Sequence, residues 1–588
     1  MTERRYGPRL TADGTTFRFW APAARSVELL LDRPVAMTKT ADGWFETTVA
    51  GTGAGTRYRF RIDGELDVCD PASQFQPDDI AGPSEVIDQA RYRWRADAWK
   101  GRPWREAVIL EAHVGTFTPE GTYLAMIDKL DHLVATGITV LELMPLSDFP
   151  GRRNWGYDGV LWYAPDSSYG RPDDLKRLID EAHLRGLMVF LDVVYNHFGP
   201  EGNYLGRYAP AFFAKADTPW GAAIDYAVPE VNDFAAENAL YWLRDFRFDG
   251  LRLDAVQAIA TTDKRSLLKD VSAAAGGLAA ETGRQIHLVL ENDDNRASLL
   301  APQIDPPDGR YRAQWNDDYH HAWHVLLTGE TGGYYADYAA DPRRYIDRAL
   351  MSGFGYQGEA SAHRAGRNRG EPSGKLSPLA FITFLQNHDQ IGNRALGDRL
   401  ESIAEPAAIE AAMAITLLAP MPPMLFMGEE WGAHQPFPFF CDFKGDLAEA
   451  VRAGRRREFQ SAYETFGDEI PDPLDDATFT SAKLDWSDIA SDHGRRRLAF
   501  VRQLLDIRRS KIVPRLTTAA FDTRSFTPPS RPVLSARWTL GGSEALTLLA
   551  NISDDRQPNP QAPHRGTPIW GGAPPATLPP WSVFWSLG

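Results

Sequence analysis

The sequence predicts an α/β protein: a (β/α)8 TIM barrel with an N-terminal β-sandwich before it and a C-terminal antiparallel β domain after it. Three observations carry this. From about residue 105, short apolar strands alternate with amphipathic helical segments, the pattern of a parallel sheet wound through crossovers. Before that stretch, and again after about residue 513, short strand-like pieces are separated by Gly, Asp and Pro. Eight apolar strands in one unit favour a closed barrel over an open sheet.

The first strands read as TTFRFWAP, SVELLL, GWFETTVA and RYRFRID, with β-branched and aromatic residues on alternating positions. Segment 70–86, rich in Pro, Asp and Ser, reads as loop. The barrel strands are expected at 107–115, 138–146, 187–196, 248–256, 286–293, 313–318, 379–387 and 424–432, the sixth being the weakest. LAFVRQLLDIRRSKI (498–512) is an amphipathic helix with a basic last turn, suited to closing the barrel. FDTRSFT, VLSARWTL, EALTLLANIS and SVFWSLG then supply the last strands, and segment 557–580 reads as a Pro/Gly-rich loop. The expected domains are 1–95, 96–512 and 513–588.

Composition narrows the function. A formal charge of −16 repels polyanions, so nucleic acid is not an expected partner. No apolar run approaches the ~20 residues that span a bilayer, and the N-terminus has no apolar signal-peptide core. Cys69 and Cys441 lie far apart and fit no metal or redox spacing. The expectation is a cytoplasmic protein with two buried thiols. No phosphate-binding Gly loop occurs, which removes nucleotide chemistry.

The chemistry is expected where apolar strands end in polar residues, because in such barrels the C-terminal strand ends share one mouth. Four ends carry carboxylates: Asp192 in DVVYNH, Asp254 in GLRLDAV, Glu291 in LVLEND and Asp389 in FLQNHDQ. Arg252 and Asp254, two apart on a strand, face the same way. A guanidinium beside a carboxylate favours the ionised form that a nucleophile requires. Glu291, near other carboxylates and an apolar wall, is expected to hold its proton and act as an acid. Asp293 or Asp294 reads as a helix-capping acid. His197 and His388 each end a strand and suit hydroxyl binding. Aromatic platforms for sugar are expected from Trp155, Tyr157, Trp162 and Tyr163 after the second strand, Trp315 at the sixth and Trp431 after the eighth.

DVVYNH, GLRLDAV, LVLEND and FLQNHDQ, in this order, resemble the four conserved regions of the α-amylase family of glycoside hydrolases. TFRFWAP is similar to the N-terminal module of branching and debranching enzymes in that family. The resemblance implies double displacement with retention: Asp254 as nucleophile, Glu291 as acid/base, Asp389 as transition-state stabiliser. It implies hydroxyl binding by His197 and His388, Tyr157 of NWGYDG beneath the reacting sugar, and Arg252 beside the nucleophile. Many α-amylases carry Lys-His shortly after the nucleophile; Gln257 and Ala258 stand here, which argues against plain endo-amylase action. Segments 144–170, 313–338, 425–432 and 436–443 resemble members that hydrolyse the α-1,4 bond next to a terminal trehalose unit. An α-glucan or trehalose-capped maltooligosaccharide is therefore the implied substrate, with a synthase of the capped chain as functional partner.

Asn154 and Trp155 of NWGYDG, and Trp315, Asp317 and Asp318 of WNDDYHHAWH, are the further expected sugar contacts. His320 and His324 have a spacing used for metals, but no third ligand is placed, so a hydrogen-bond cluster is expected instead. Asn196 matches a calcium ligand of some amylases, yet six to eight oxygens cannot be assembled around it. No metal and no cofactor are expected. Glu429 and Glu430 read as loop residues near the sugar site. The rival activities are a glycogen branching enzyme and a non-catalytic glucan-binding protein.

Overall fold

The computed structural model describes residues 5–218, 220–259, 266–301, 311–460, 470–522, 532–560 and 566–588. Its centre is a barrel of eight strands: β1 (Ile109–Ala112), β2 (Val140–Leu143), β3 (Met188–Val193), β4 (Gly250–Leu253), β5 (His287–Leu290), β6 (Ala313–Trp315), β7 (Phe381–Ile382) and β8 (Met424–Phe426). Their order is β7-β6-β5-β4-β3-β2-β1-β8, with every neighbour parallel. The ring closes between β7 and β8. The Thr383 N–H donates to the Pro422 carbonyl at 3.1 Å, and the Met424 N–H donates back to Thr383 at 2.9 Å. Every strand residue is buried, which is why these segments read as unbroken apolar runs rather than alternating ones.

Helices cross between the strands on the outside. Pro172–Leu184, Pro229–Asp245, Pro342–Ser352 and Pro406–Leu418 each open with proline in the first turn, where its fixed φ suits the helix and its missing N–H costs nothing. Helix Asp492–Ile507 covers the outside as expected, but 508–512 continues as a π turn. Its basic residue Arg508 is buried rather than solvated, and it donates to the carbonyls of Leu417, Ala419, Pro420 and Met421 just before β8.

The N-terminal sandwich pairs strands Gly14–Trp20 and Trp44–Val49 in one sheet and Val27–Leu30 and Arg57–Ile62 in the other. Phe17, Phe19, Tyr58 and Phe60 fill the space between. It docks on the barrel through Tyr6, whose hydroxyl donates to the Glu230 carbonyl at 2.5 Å, and through Phe19 against Tyr208. The C-terminal sheet docks through Trp538 and Trp585, whose indoles donate to the carbonyls of Leu350 and Ala414. Segment 557–580 is not all loop. Thr567–Trp570 forms an edge strand and Gln557–Pro558 pairs with Thr577–Leu578, with prolines at positions that an edge tolerates. Of the strand expected at 521–527, residues 523–527 lie outside the described residues. Among the described residues no helix is long and apolar enough to cross a membrane.

Candidate active site

Arg252 is the hub of the barrel mouth. It is 2% exposed and meets three carboxylates from three strands. Its Nη1 donates to Asp254 Oδ1 and to Asp192 Oδ2, each at 2.7 Å, and its Nη2 lies 3.3 Å from Glu291 Oε2. Its Cζ sits 4.0 Å from the centre of the Trp315 ring. A planar fork is the one side chain that holds several carboxylates and a ring face at once. Asp254 accepts a further hydrogen bond from Asn196 Nδ2 at 2.8 Å on its other oxygen. Asp192 also accepts from the Tyr157 hydroxyl at 2.6 Å. Burial lifts the Asp192 carboxyl to about 6, against the pull of Arg252.

Glu291 is tied to the turn that follows Asp254. Its Oε2 accepts the Ala255 N–H at 2.6 Å, and its carbonyl accepts the Val256 N–H at 3.0 Å. Ala255 stands at φ 40°, ψ 49°, a left-handed conformation costly for a residue with a Cβ. Backbone strain is thus concentrated between the two carboxylates. Burial raises the Glu291 carboxyl well above its usual range, with Arg252 opposing and the Asp254 charge adding to the rise.

His388 and Asp389 begin the short helix His388–Gly392 after β7, whose first N–H groups are capped by the Asn387 side chain. Asp389 opens to the mouth, with Oδ1 accepting from Asn393 at 2.9 Å. The His388 ring stacks on Tyr157 with centroids 4.9 Å apart. Tyr157 is placed by Gly156 before it, at φ 104°, where a Cβ would stand 2.2 Å from the Pro145 carbonyl oxygen.

A cavity opens on Glu291 and Asp389 and runs toward an arm, residues 353–377, inserted before β7. Asp317 lines it, and burial lifts its carboxyl to about 7. Asp293 also lines it, bound by Arg364 and, at 2.9 Å, by Arg369 from the arm. Asp294 pairs with Arg364 at 2.7 Å. Neither Asp293 nor Asp294 caps a helix, as the sequence suggested; the arginines of the arm claim both.

The structure thus brings together Asp192, Arg252, Asp254, Glu291, Asp389, His388, Tyr157, Trp315 and Asp317. Other expected contacts are used by the fold instead. Asn154 is fully buried; its Oδ1 accepts the Gly156 N–H and its Nδ2 donates to Asp158, shaping the turn. Trp155 is stacked on Phe437 and donates to the Pro438 carbonyl. Asp318 is fully buried, taking Asn295, Tyr338, Arg369 and the Tyr356 N–H. His197 has both ring nitrogens engaged, by the Asn196 side chain and the Tyr157 carbonyl, so it braces the site. Trp162 and Tyr163 pack on Phe234 in the core, and Trp431 packs on Trp486. Glu429 and Glu430 are buried against the Phe426 N–H and His132, away from the cavity. His320 and His324 form a hydrogen-bond cluster with the Leu385 carbonyl, Tyr335 and Glu330.

Sequence reasoning missed the arm. Its signal is a run of arginines in AHRAGRNRG (362–370), opposite in charge to the ENDDN turn, but no strand end marks it. Glu111, at the end of β1 and in contact with His388, was readable by the same rule as the other strand-end carboxylates.

Residues 95–211 match the model of the alpha amylase catalytic domain, residues 5–76 carbohydrate-binding module 48 and residues 523–585 a domain of unknown function, DUF3459. A malto-oligosyltrehalose trehalohydrolase of Deinococcus radiodurans is 42% identical over 84% of this chain and 81% of its own length. A crystal structure of a candidate alpha amylase from Salmonella typhimurium superposes with a TM-score of 0.93 at 44% identity, covering 99% of both chains. A 1,4-alpha-glucan branching enzyme of Corynebacterium jeikeium reaches 33% identity over only 44% of this chain and 40% of its own length. The chain belongs to the malto-oligosyltrehalose trehalohydrolase family, within the α-amylase family of glycoside hydrolases.

Proposed function

We propose that the chain is a retaining glycoside hydrolase that cleaves the α-1,4-glucosidic bond next to the terminal trehalose of maltooligosyltrehalose, releasing trehalose and a maltooligosaccharide. One observation carries the chemistry: a single guanidinium holds Asp254 and Glu291 together. Retention requires two carboxyls flanking one bond at close range, about 5–5.5 Å, and here both contact the same guanidinium, Asp254 at 2.7 Å and Glu291 at 3.3 Å.

Asp254 attacks the anomeric carbon while Glu291, protonated by its buried setting, gives its proton to the leaving oxygen. The glycosyl-enzyme ester on Asp254 is then opened by water, whose proton returns to Glu291. In this reading Asp389 and His388 hold ring hydroxyls and Tyr157 lies beneath the sugar, supported by the His388–Tyr157 stack and by Asp192, which fixes both Tyr157 and Arg252. The acid serves the leaving group, so the cavity beyond Glu291 is the leaving-group side. Its paired acids and arginines, Asp293, Asp317, Arg364 and Arg369, suit the dense neutral hydroxyls of a trehalose unit. We further place the reaction in a reducing cytoplasm, on the two free buried cysteines. A synthase that caps maltooligosaccharides with trehalose is the expected supplier of substrate.

Product analysis on trehalose-capped and uncapped maltooligosaccharides tests the reading. Free trehalose from the capped chain is expected, and Asp254→Asn should abolish it while retaining sugar binding. New branches in amylose without trehalose release, or an active Asp254→Asn enzyme, would overturn it.

A further inference from the structure

Glu111 is buried in β1, 1% exposed, and spends both carboxylate oxygens on one residue. Oε1 contacts the Nδ1 of His388, and Oε2 accepts the backbone N–H of His388 at 3.1 Å. A carboxylate that grips ring and backbone together removes the freedom of that ring to turn. It also commits Nδ1 to carrying hydrogen, since an ionised carboxylate only accepts. The other ring nitrogen, Nε2, has no hydrogen-bond partner among the described residues, and the flanking Asn387 and Asp389 line the cavity. The groups facing His388 are Glu111 from β1, His113 just after β1, Tyr157 from the loop after β2, Arg252 from β4 and Asp389 beside it. Burial pulls the ring toward the neutral form, Glu111 outweighs it, and the net shift is upward.

We propose that Glu111 is a positioning residue of the active site, fixing the orientation of the His388 ring and the hydrogen on Nδ1, so that the protonated ring offers its Nε2–H to the sugar. The inference rests on the reading of His388 as a sugar contact. It adds a carboxylate–histidine pair to the site, joining β1 to the helix that follows β7, the two strands that flank β8. Glu142, one strand away on β2, is the natural control. It is equally buried, both its oxygens lack a hydrogen-bond partner among the described residues, and burial beside Glu111 raises its carboxyl well above the usual range. A neutral acid there is replaced by glutamine without loss of charge.

The experiment compares kcat/KM against pH for Glu111→Gln, Glu142→Gln, His388→Asn and the Glu111→Gln/His388→Asn double variant, on trehalose-capped maltooligosaccharide. Glu111→Gln should lower kcat/KM about tenfold or more, the scale on which a carboxylate orienting a histidine matters. It should also add a second alkaline decline, at lower pH than the one Glu291 sets, because the ring has lost its anionic partner and gives up its extra proton earlier. The double variant should be no worse than His388→Asn alone, since one residue acts through the other. Glu142→Gln should keep the wild-type profile. Should Glu111→Gln not fold, Glu111→Asp, which withdraws the carboxylate by one methylene, is expected to lower the same limb. A wild-type profile for Glu111→Gln beside a defective His388→Asn, multiplicative losses in the double variant, or an equal loss in Glu142→Gln each refutes the proposal. A silent His388→Asn instead overturns the sugar-contact reading on which it stands.

Discussion

Arg252→Lys is the sharpest single test of the site, because it keeps a positive charge and removes the geometry. The guanidinium makes two contacts at 2.7 Å, one at 3.3 Å and a stacking contact at 4.0 Å. A lysine ammonium is one compact point and satisfies one carboxylate at a time. Losing two charge-assisted hydrogen bonds, at about 1.5–3 kcal/mol each, and the ring contact, at about 0.5–2 kcal/mol, sets a ceiling of about 8 kcal/mol. Carboxylates relieved of the cation take up protons, which offsets much of this. The expected destabilisation is therefore near the low end for breaking a buried ion pair, about 3 kcal/mol. If the same amount is lost from transition-state alignment of Asp254, kcat/KM falls about a hundredfold. Urea unfolding midpoints and kcat/KM for trehalose release, measured side by side with wild type, give both quantities. An Arg252→Lys enzyme with wild-type midpoint and wild-type turnover would refute the hub described here.

Three further outcomes follow from the same geometry. Glu291 keeps its proton well above the ordinary carboxylate range, so activity should fall as pH rises through its folded-state pKa; Glu291→Gln should cut kcat by on the order of 10²–10⁴ and remove that alkaline limb from the residual rate. Asp347, buried with Oδ1 unpartnered among the described residues, has its carboxyl pushed up to about 7 by burial. Its unfolded form ionises near ~3.9 while the folded form stays protonated, so the folded state loses ground between about pH 4 and 7, by at most about 4 kcal/mol; Asp347→Asn should raise the unfolding midpoint at pH 8 and leave it unchanged at pH 4. Gly156→Ala, at φ 104° with the Pro145 oxygen in the way, should displace Tyr157 and lower kcat/KM by as much as about a hundredfold, with pure trehalose binding measured by calorimetry as the companion readout.

Strand-end carboxylates were legible because burial on both faces leaves apolar runs that stop abruptly at a charge. Asp192, Arg252, Asp254, Glu291 and Asp389 all meet at one mouth for that reason. The polar and aromatic residues of the loops were only partly legible: Tyr157, His388 and Asp317 do reach the site. Asn154, Trp155 and Asp318 look like sugar contacts by type, yet each is consumed by a turn, a stacked ring or a buried network. Composition records that a side chain can bind a hydroxyl; only its neighbours decide whether a protein group has already taken that capacity.

By itself the sequence determined the number and order of the barrel strands, the two flanking β domains and the identity of the acids at the rim, because periodicity and burial are local properties of the chain. The tertiary structure alone decided which acids the arginines of the arm would bind. Arg364 and Arg369 reach Asp293 from about seventy residues away, and Glu111 meets His388 because closure of the barrel brings the first and seventh strands to the same mouth. The Glu111–His388 pairing depends on ring closure and those of the arm on the side-by-side packing of β5, β6 and β7, long-range properties that no single segment carries.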